Sequence, residues 1–258
     1  MKCPWLLFAL LLPGPLAAVA GGPGEPAPGR VRIEGGTFRP LYAQPGETTA
    51  TVAPFLLDAR PVTRAEFERF VRSQPRWQRG RVPGLFAARD YLSDWGSPVD
   101  AGDTIDRDLP VTQVSWFAAR AYCAAQGGRL PTTNEWEYAA RADEHSRDAA
   151  SGTGFRQRAL ELAFGRRPLR AGAGFRDVRG VFALHGGVVE WVSDFQSIFA
   201  GSDSRATTKR DRAMTCSAGA TTTGDAGDYA AFLRYAYRAT LEGRTTTGNL
   251  GFRCARSL

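Results

Sequence analysis

Apolar residues recur along this chain at two spacings, and the spacing changes where capping and turn residues stand. Thr63 and Glu66 form a capping box, and Phe67, Phe70 and Val71 follow at helical spacing. A helix over residues 63–73 with one apolar face is expected. Ser115 caps a second helix that runs through Ala125, with Gly127 stopping it. Thr132 and Glu135 make another capping box, which opens a helix to about Arg141. Tyr229, Phe232, Leu233, Ala236 and Tyr237 give residues 228–240 a helix-like spacing. Strand signals are shorter. Residues 31–38 alternate and contain paired glycines, which predicts a short strand and turn, and residues 53–58 are a second strand candidate. Residues 181–184 and 188–192 are further short candidates beside Gly186 and Gly187.

The intervening stretches carry no such period. Residues 75–110 are rich in Pro, Gly, Asp and Trp and read as a long ordered loop region. Residues 143–179 are polar and irregular, and residues 202–227 are Thr/Gly/Ser-rich and read as loop. Short elements joined by long structured loops predict an α+β fold. A doubly wound sheet would need repeated strand–helix alternation, which the pattern lacks.

The first residues read differently. Lys2, the apolar run 5–12, the Pro13-Gly14 break and the small residues Ala18-Val19-Ala20 have the layout of a secretory signal over residues 1–20. The run is too short to span a bilayer, and no later segment is apolar enough to do so. Residues 21–30 are Pro/Gly-rich and predict a flexible leader, leaving residues 31–258 as one domain large enough for a core. A periplasmic or secreted location is expected. The formal net charge is +7, and Lys2 and Lys209 are the only lysines. The arginines are scattered rather than interleaved with aromatics, which argues against a nucleic-acid surface, while a diffuse positive field favours an acidic partner.

Three blocks carry a family resemblance. Residues 109–123 (LPVTQVSWFAARAYC), 127–141 (GGRLPTTNEWEYAAR) and 248–255 (GNLGFRCA) resemble the formylglycine-generating enzyme, or sulfatase-modifying factor, family. Residues 55–70 resemble its entry segment, and residues 180–195 (GVFALHGGVVEWVSDF) a degenerate copy of its Trp-Glu-Trp segment. The resemblance covers residues 31–255 and implies that family's fold, a compact, loop-rich variant of the C-type lectin form. Trp116, Tyr122, Leu130, Trp136, Tyr138 and Trp191 are then core residues that hold the loops, and Arg129 and Glu135 brace them by ion pairing.

The family does its chemistry with cysteines. Of the four cysteines here, Cys3 falls in the signal, leaving Cys123, Cys216 and Cys254, an odd number for an oxidising compartment. The resemblance implies a Cys123–Cys254 disulfide. A second bridge found in some members would join positions held here by Ala140 and Ala239, and both are alanine. The reactive pair of the oxidase sits five residues apart just before a strand that the resemblance sets against residues 234–238. Its positions then fall on Tyr229 and Arg234, which offer no thiolate to copper or to a substrate cysteine. A nearby tryptophan of the family is Val189 here. Cys216 is left with two readings: a buried structural thiol, or a metal or redox thiol in a pocket with Tyr229, Arg234, Tyr235 and Arg253, where neighbouring arginines would raise its thiolate fraction.

Metal candidates are few. His145 and His185 are the only histidines and lie far apart in sequence. The family's calcium loop implies Gly186, Val188 and Glu190 as ligands, although Ala183 and Gly187 replace two of its usual oxygen donors and a hard cation wants several. Copper enters only if Cys216 is a ligand. Three functions follow from the resemblance: a non-oxidase accessory or maturation factor for another exported metallo- or redox protein; a formylglycine-generating oxidase acting on protein cysteine through Cys216; or a lectin-like binding module. Residues 228–238 resemble the nitrite reductase accessory branch, which favours the first. The expected partner is a protein, or a protein or peptide substrate.

Overall fold

β4 (Phe55–Asp58) is the centre of a three-stranded antiparallel sheet, because it is the strand whose residues are apolar on both faces. Phe55, Leu56 and Leu57 are all buried. β1 (Arg30–Ile33) pairs with one edge, with Val31 opposite Leu57. The last strand, β7 (Ala255–Ser257), pairs with the other edge and sets Ala255 opposite Leu57, so the end of the chain meets its beginning. β2 (Gly36–Phe38) and β3 (Ala50–Val52) form a separate antiparallel ladder, and β5 (Val189–Glu190) and β6 (Leu250–Gly251) a two-residue parallel one. This computed structural model describes residues 29–41, 48–102, 106–163, 169–182, 184–195 and 229–258.

Helix α1 (Arg64–Ser73) begins as its capping box dictates. The Thr63 hydroxyl accepts from the Glu66 N–H, and the Glu66 carboxylate accepts from the Thr63 N–H. Its apolar face buries Phe67, whose ring stacks on Tyr122 at 5.8 Å and meets Phe252 edge-on at 6.0 Å. Helix α2 (Trp116–Ala125) supplies Tyr122 and is capped by Ser115. It ends where Gly127 takes a φ of +68°, a conformation that costs a residue with a Cβ. Gly128 then passes so close to the final strand that a Cβ there would lie 2.6 Å from the Ala255 carbonyl oxygen. Cys123 on α2 and Cys254 beside β7 form a disulfide with a Cα–Cα distance of 5.5 Å, both residues buried.

Helix α3 (Thr133–Ala139) has the expected Thr132–Glu135 box and ends two residues before Arg141. Arg129 pairs with Glu135 at 2.7 Å. Several expectations are corrected. The polar stretch 143–179 contains a helix, α4 (Thr153–Ala163). Among the described residues of 181–184 there is a single bridge, between Phe182 and Arg176, in place of the expected strand, and β5 keeps two of the five residues expected for it. Residues 234–238, set by resemblance against a strand, lie inside helix α5 (Tyr229–Ala239), as the helical spacing of the segment requires. The expected loop 202–227, with Cys216, lies outside the described residues, as does the signal. No helix among the described residues is long and apolar enough to cross a membrane.

Candidate functional site

A buried polar cluster joins α3, α5, β5 and the segment between β6 and β7. α3 presents Trp136 and Glu137, neighbours in sequence that serve different partners. The Glu137 carboxylate accepts from Arg234 of α5 at 2.6 and 3.1 Å and from Nη1 of Arg238, one turn further on, at 2.8 Å. Burial pushes the Glu137 carboxyl up, but the charges and hydrogen bonds of Arg234 and then Arg238 outweigh it, so its pKa lies below the ordinary value. Both guanidinium groups also lie against the Trp136 ring, Arg238 at 4.7 Å and Arg234 at 5.1 Å from its centre. On its other side Trp136 donates from Nε1 to Glu190 at 2.8 Å. Glu190 pairs with Arg253 through Nε at 2.8 and 3.0 Å and Nη2 at 2.8 Å. The remaining Arg253 donors go to the Phe182 carbonyl at 2.9 Å and the Asp58 carbonyl at 3.3 Å.

These contacts decide the fate of the site residues read from sequence. Arg253 is fully enclosed and bonded to Glu190 and backbone carbonyls, so it does not face an open pocket among the described residues. Glu190, one of the expected calcium ligands, would have to give up a partner to bind the ion. Each of its carboxylate oxygens already receives donors from a cation or an indole, where calcium would need free lone pairs. Gly186 and Val188 could then offer backbone carbonyls alone. Arg234 and Tyr235 sit on the inward side of α5, whereas Tyr229 at its start is half-exposed and stacks on Phe232 at 5.7 Å. Burial pushes the Tyr235 phenol far up, so it stays protonated.

The two histidines, remote in sequence, meet at one cavity of 210 Å³. His145 and His185 line it with Phe155, Ala159 and Leu162 of α4. Sequence reasoning missed this site because it missed α4, although those three residues stand at i, i+4 and i+7 and carried the signal. Asp143 in the same wall accepts from the His145 and Ser146 N–H groups, and Glu144 pairs with Arg158. Among the described residues no three His, Cys, Asp or Glu side chains are grouped to hold a metal.

His185 is buried, with Nε2 donating to the Ala140 carbonyl at 2.7 Å and Nδ1 without a partner among the described residues. Burial, aided by Arg234, pulls its pKa from 6.5 down to about 4. Between those values the unfolded chain binds the extra proton, so stability falls as pH drops from 6.5 towards 4. A loss of about 2 kcal/mol between pH 7 and pH 5 is expected from this residue. Denaturant unfolding of wild type and His185→Gln at both pH values checks it: the variant should lose that slope, and equal slopes would refute the assignment.

Residues 17–258 match the model of the sulfatase-modifying factor enzyme 1-like domain. The chain belongs to that family. It is 31% identical over 276 residues to the inactive C-alpha-formylglycine-generating enzyme 2 of Mus musculus, covering 89% of this chain and 86% of that one. It is 27% identical over 298 residues to the formylglycine-generating enzyme of Bos taurus, covering 92% and 77%. The structure of PvdO from Pseudomonas aeruginosa aligns over 89% of this chain and 94% of its own, with a TM-score of 0.47 and 16% identity. Family membership and the observed elements together make this the α+β fold of the formylglycine-generating enzymes.

Proposed function

We propose that this family member is a non-oxidase: an accessory or maturation factor that acts on another exported protein. The cysteine inventory carries the reading. The chain has cysteines only at 3, 123, 216 and 254, so no two stand five apart anywhere, and Cys123 and Cys254 are bonded to each other. This holds whether or not residues 234–238 align with the family's strand. A single remaining thiol in the domain cannot form the pair that shuttles between thiolate and disulfide. Of the two reactive positions, α5 holds Tyr229, stacked on Phe232, and Arg234, bound to Glu137 and lying against Trp136, and neither is a thiol. The similarity to a relative named as inactive supports the same reading.

Incubating the full chain, with and without copper, with a peptide containing Cys-x-Pro-x-Arg tests it. Mass spectrometry should find the peptide cysteine unchanged, while an active formylglycine-generating enzyme converts it under the same conditions. Conversion that disappears in Cys216→Ser would overturn the reading in favour of an oxidase working through Cys216.

A further inference from the structure

The surface over the outer side of α2 carries a second feature, which shares no residue with the α5 cluster. The loop after α1 folds Trp77, Val82 and Phe86 against Phe117 and Ala121 of α2, leaving an open groove of 530 Å³. Phe86 and Phe117, both in its lining, meet edge-on at 5.2 Å. Phe86 is still 38% exposed, and Leu85 beside it is 74% exposed. Trp77, Val82, Phe86 and Phe117 line the groove and give a partner's side chain an apolar surface to bury, although Leu85 is not among its lining residues.

The charge around the groove says what fits it. Its lining includes Arg76 and Arg120 and no Asp or Glu. Neither guanidinium pairs with a carboxylate among the described residues. Each lies instead against an indole, Arg76 at 5.6 Å from Trp77 and Arg120 at 5.3 Å from Trp116. A stacked arginine is held in place with its hydrogen-bonding edge unspent, the form in which arginine recognises carboxylates. Apolar pockets flanked by Trp and Arg are also where binding energy concentrates at interfaces. The whole chain adds a net charge of +7, which steers acidic partners toward it.

We propose that this groove is a docking site for a partner protein, and that it takes an extended segment in which a large apolar side chain stands next to Asp or Glu. The apolar side chain enters between Trp77, Phe86 and Phe117, and the neighbouring carboxylate meets Arg120 or Arg76. The inference is independent of whether the chain oxidises cysteine, because the groove and the thiol chemistry have no residue in common.

A phage-displayed library of random short peptides selected on the full chain tests it. Enriched peptides should carry an aromatic residue or Leu within two positions of Asp or Glu. Their affinity, measured by fluorescence anisotropy on the synthetic peptides, should fall about tenfold or more in Phe86→Ser and in Arg120→Glu. Both positions are exposed, and circular dichroism should show each variant folded. If Phe86→Ser does not fold, Arg76→Glu/Arg120→Glu replaces it. Exchanging Asp and Glu for Lys in a selected peptide should abolish binding to wild type and restore it to Arg120→Glu. Enriched peptides without acidic residues, or affinities unchanged by these variants, would overturn the proposal. A photo-reactive residue at position 86 that cross-links to this chain itself would also overturn it, by making the occupant a second copy or the chain's own N-terminal segment.

Discussion

Replacing Glu190 by glutamine is expected to destabilise the fold by about 3–5 kcal/mol. The substitution is nearly isosteric, so Trp136 keeps an acceptor and no cavity opens. What is lost is the charge opposite Arg253, which is 0% exposed and cannot swing to water. Its guanidinium would be left among carbonyl groups alone. Removing both charges together should cost less than removing either, because the price of an ion pair in the interior is mostly the desolvation of its members. Glu190→Met/Arg253→Met is therefore expected to be more stable than Glu190→Gln and than Arg253→Met. Denaturant unfolding of wild type, the two single variants and the double variant decides the point: a Glu190→Gln cost near zero would mean that Arg253 finds another partner. The same measurement addresses calcium. With Glu190 committed to Arg253, neither calcium nor a chelator should move the wild-type midpoint.

Loss of the Cys123–Cys254 bridge is the second large expected effect, about 5 kcal/mol. The bridge closes 131 residues, and in the chain-entropy model the unfolded state is restrained by roughly that much. Alanine is the suitable replacement at both positions, since a serine hydroxyl would be buried without a place for it in a site that is 0–1% exposed. Cys123→Ala/Cys254→Ala should unfold at markedly lower denaturant than wild type, and reducing the wild type should move it to the same midpoint. A reduced protein that unfolds where the oxidised one does would show that the sheet and α2 hold the chain end without the bridge. The variant also isolates Cys216 as the one thiol of the domain, which makes the peptide assay on it unambiguous.

The elements that could be read in the chain share a property: their signals are local. The Thr63–Glu66 and Thr132–Glu135 boxes, the Ser115 cap and the Gly127 stop each act within four residues, so spacing alone places α1, α2 and α3. The apolar run of β4 reads as a strand for the same reason. α5 was legible through its spacing even though the resemblance set a strand there, and the local signal prevailed. α4 carries its apolar residues at helical spacing too, but polar residues and two arginines between them hide the face that packs on His185. β5 and β6 have two residues each, too few for any period to show.

Residue identity and close neighbours were enough to read the family, the buried tryptophans Trp136 and Trp191, the starts of three helices and the lack of a reactive cysteine pair. The roles of the charged residues depend on the packed chain. Trp136 and Glu190 are 54 positions apart, Glu190 and Arg253 63, Glu137 and Arg234 97. No spacing rule links such positions, because their meeting depends on how α3, α5 and the last strands pack. The strength of an ion pair depends on burial, which the packed chain alone sets. So Glu190 reads as a calcium ligand and Arg253 as a pocket residue in the sequence, and in the folded protein each is the other's counter-charge.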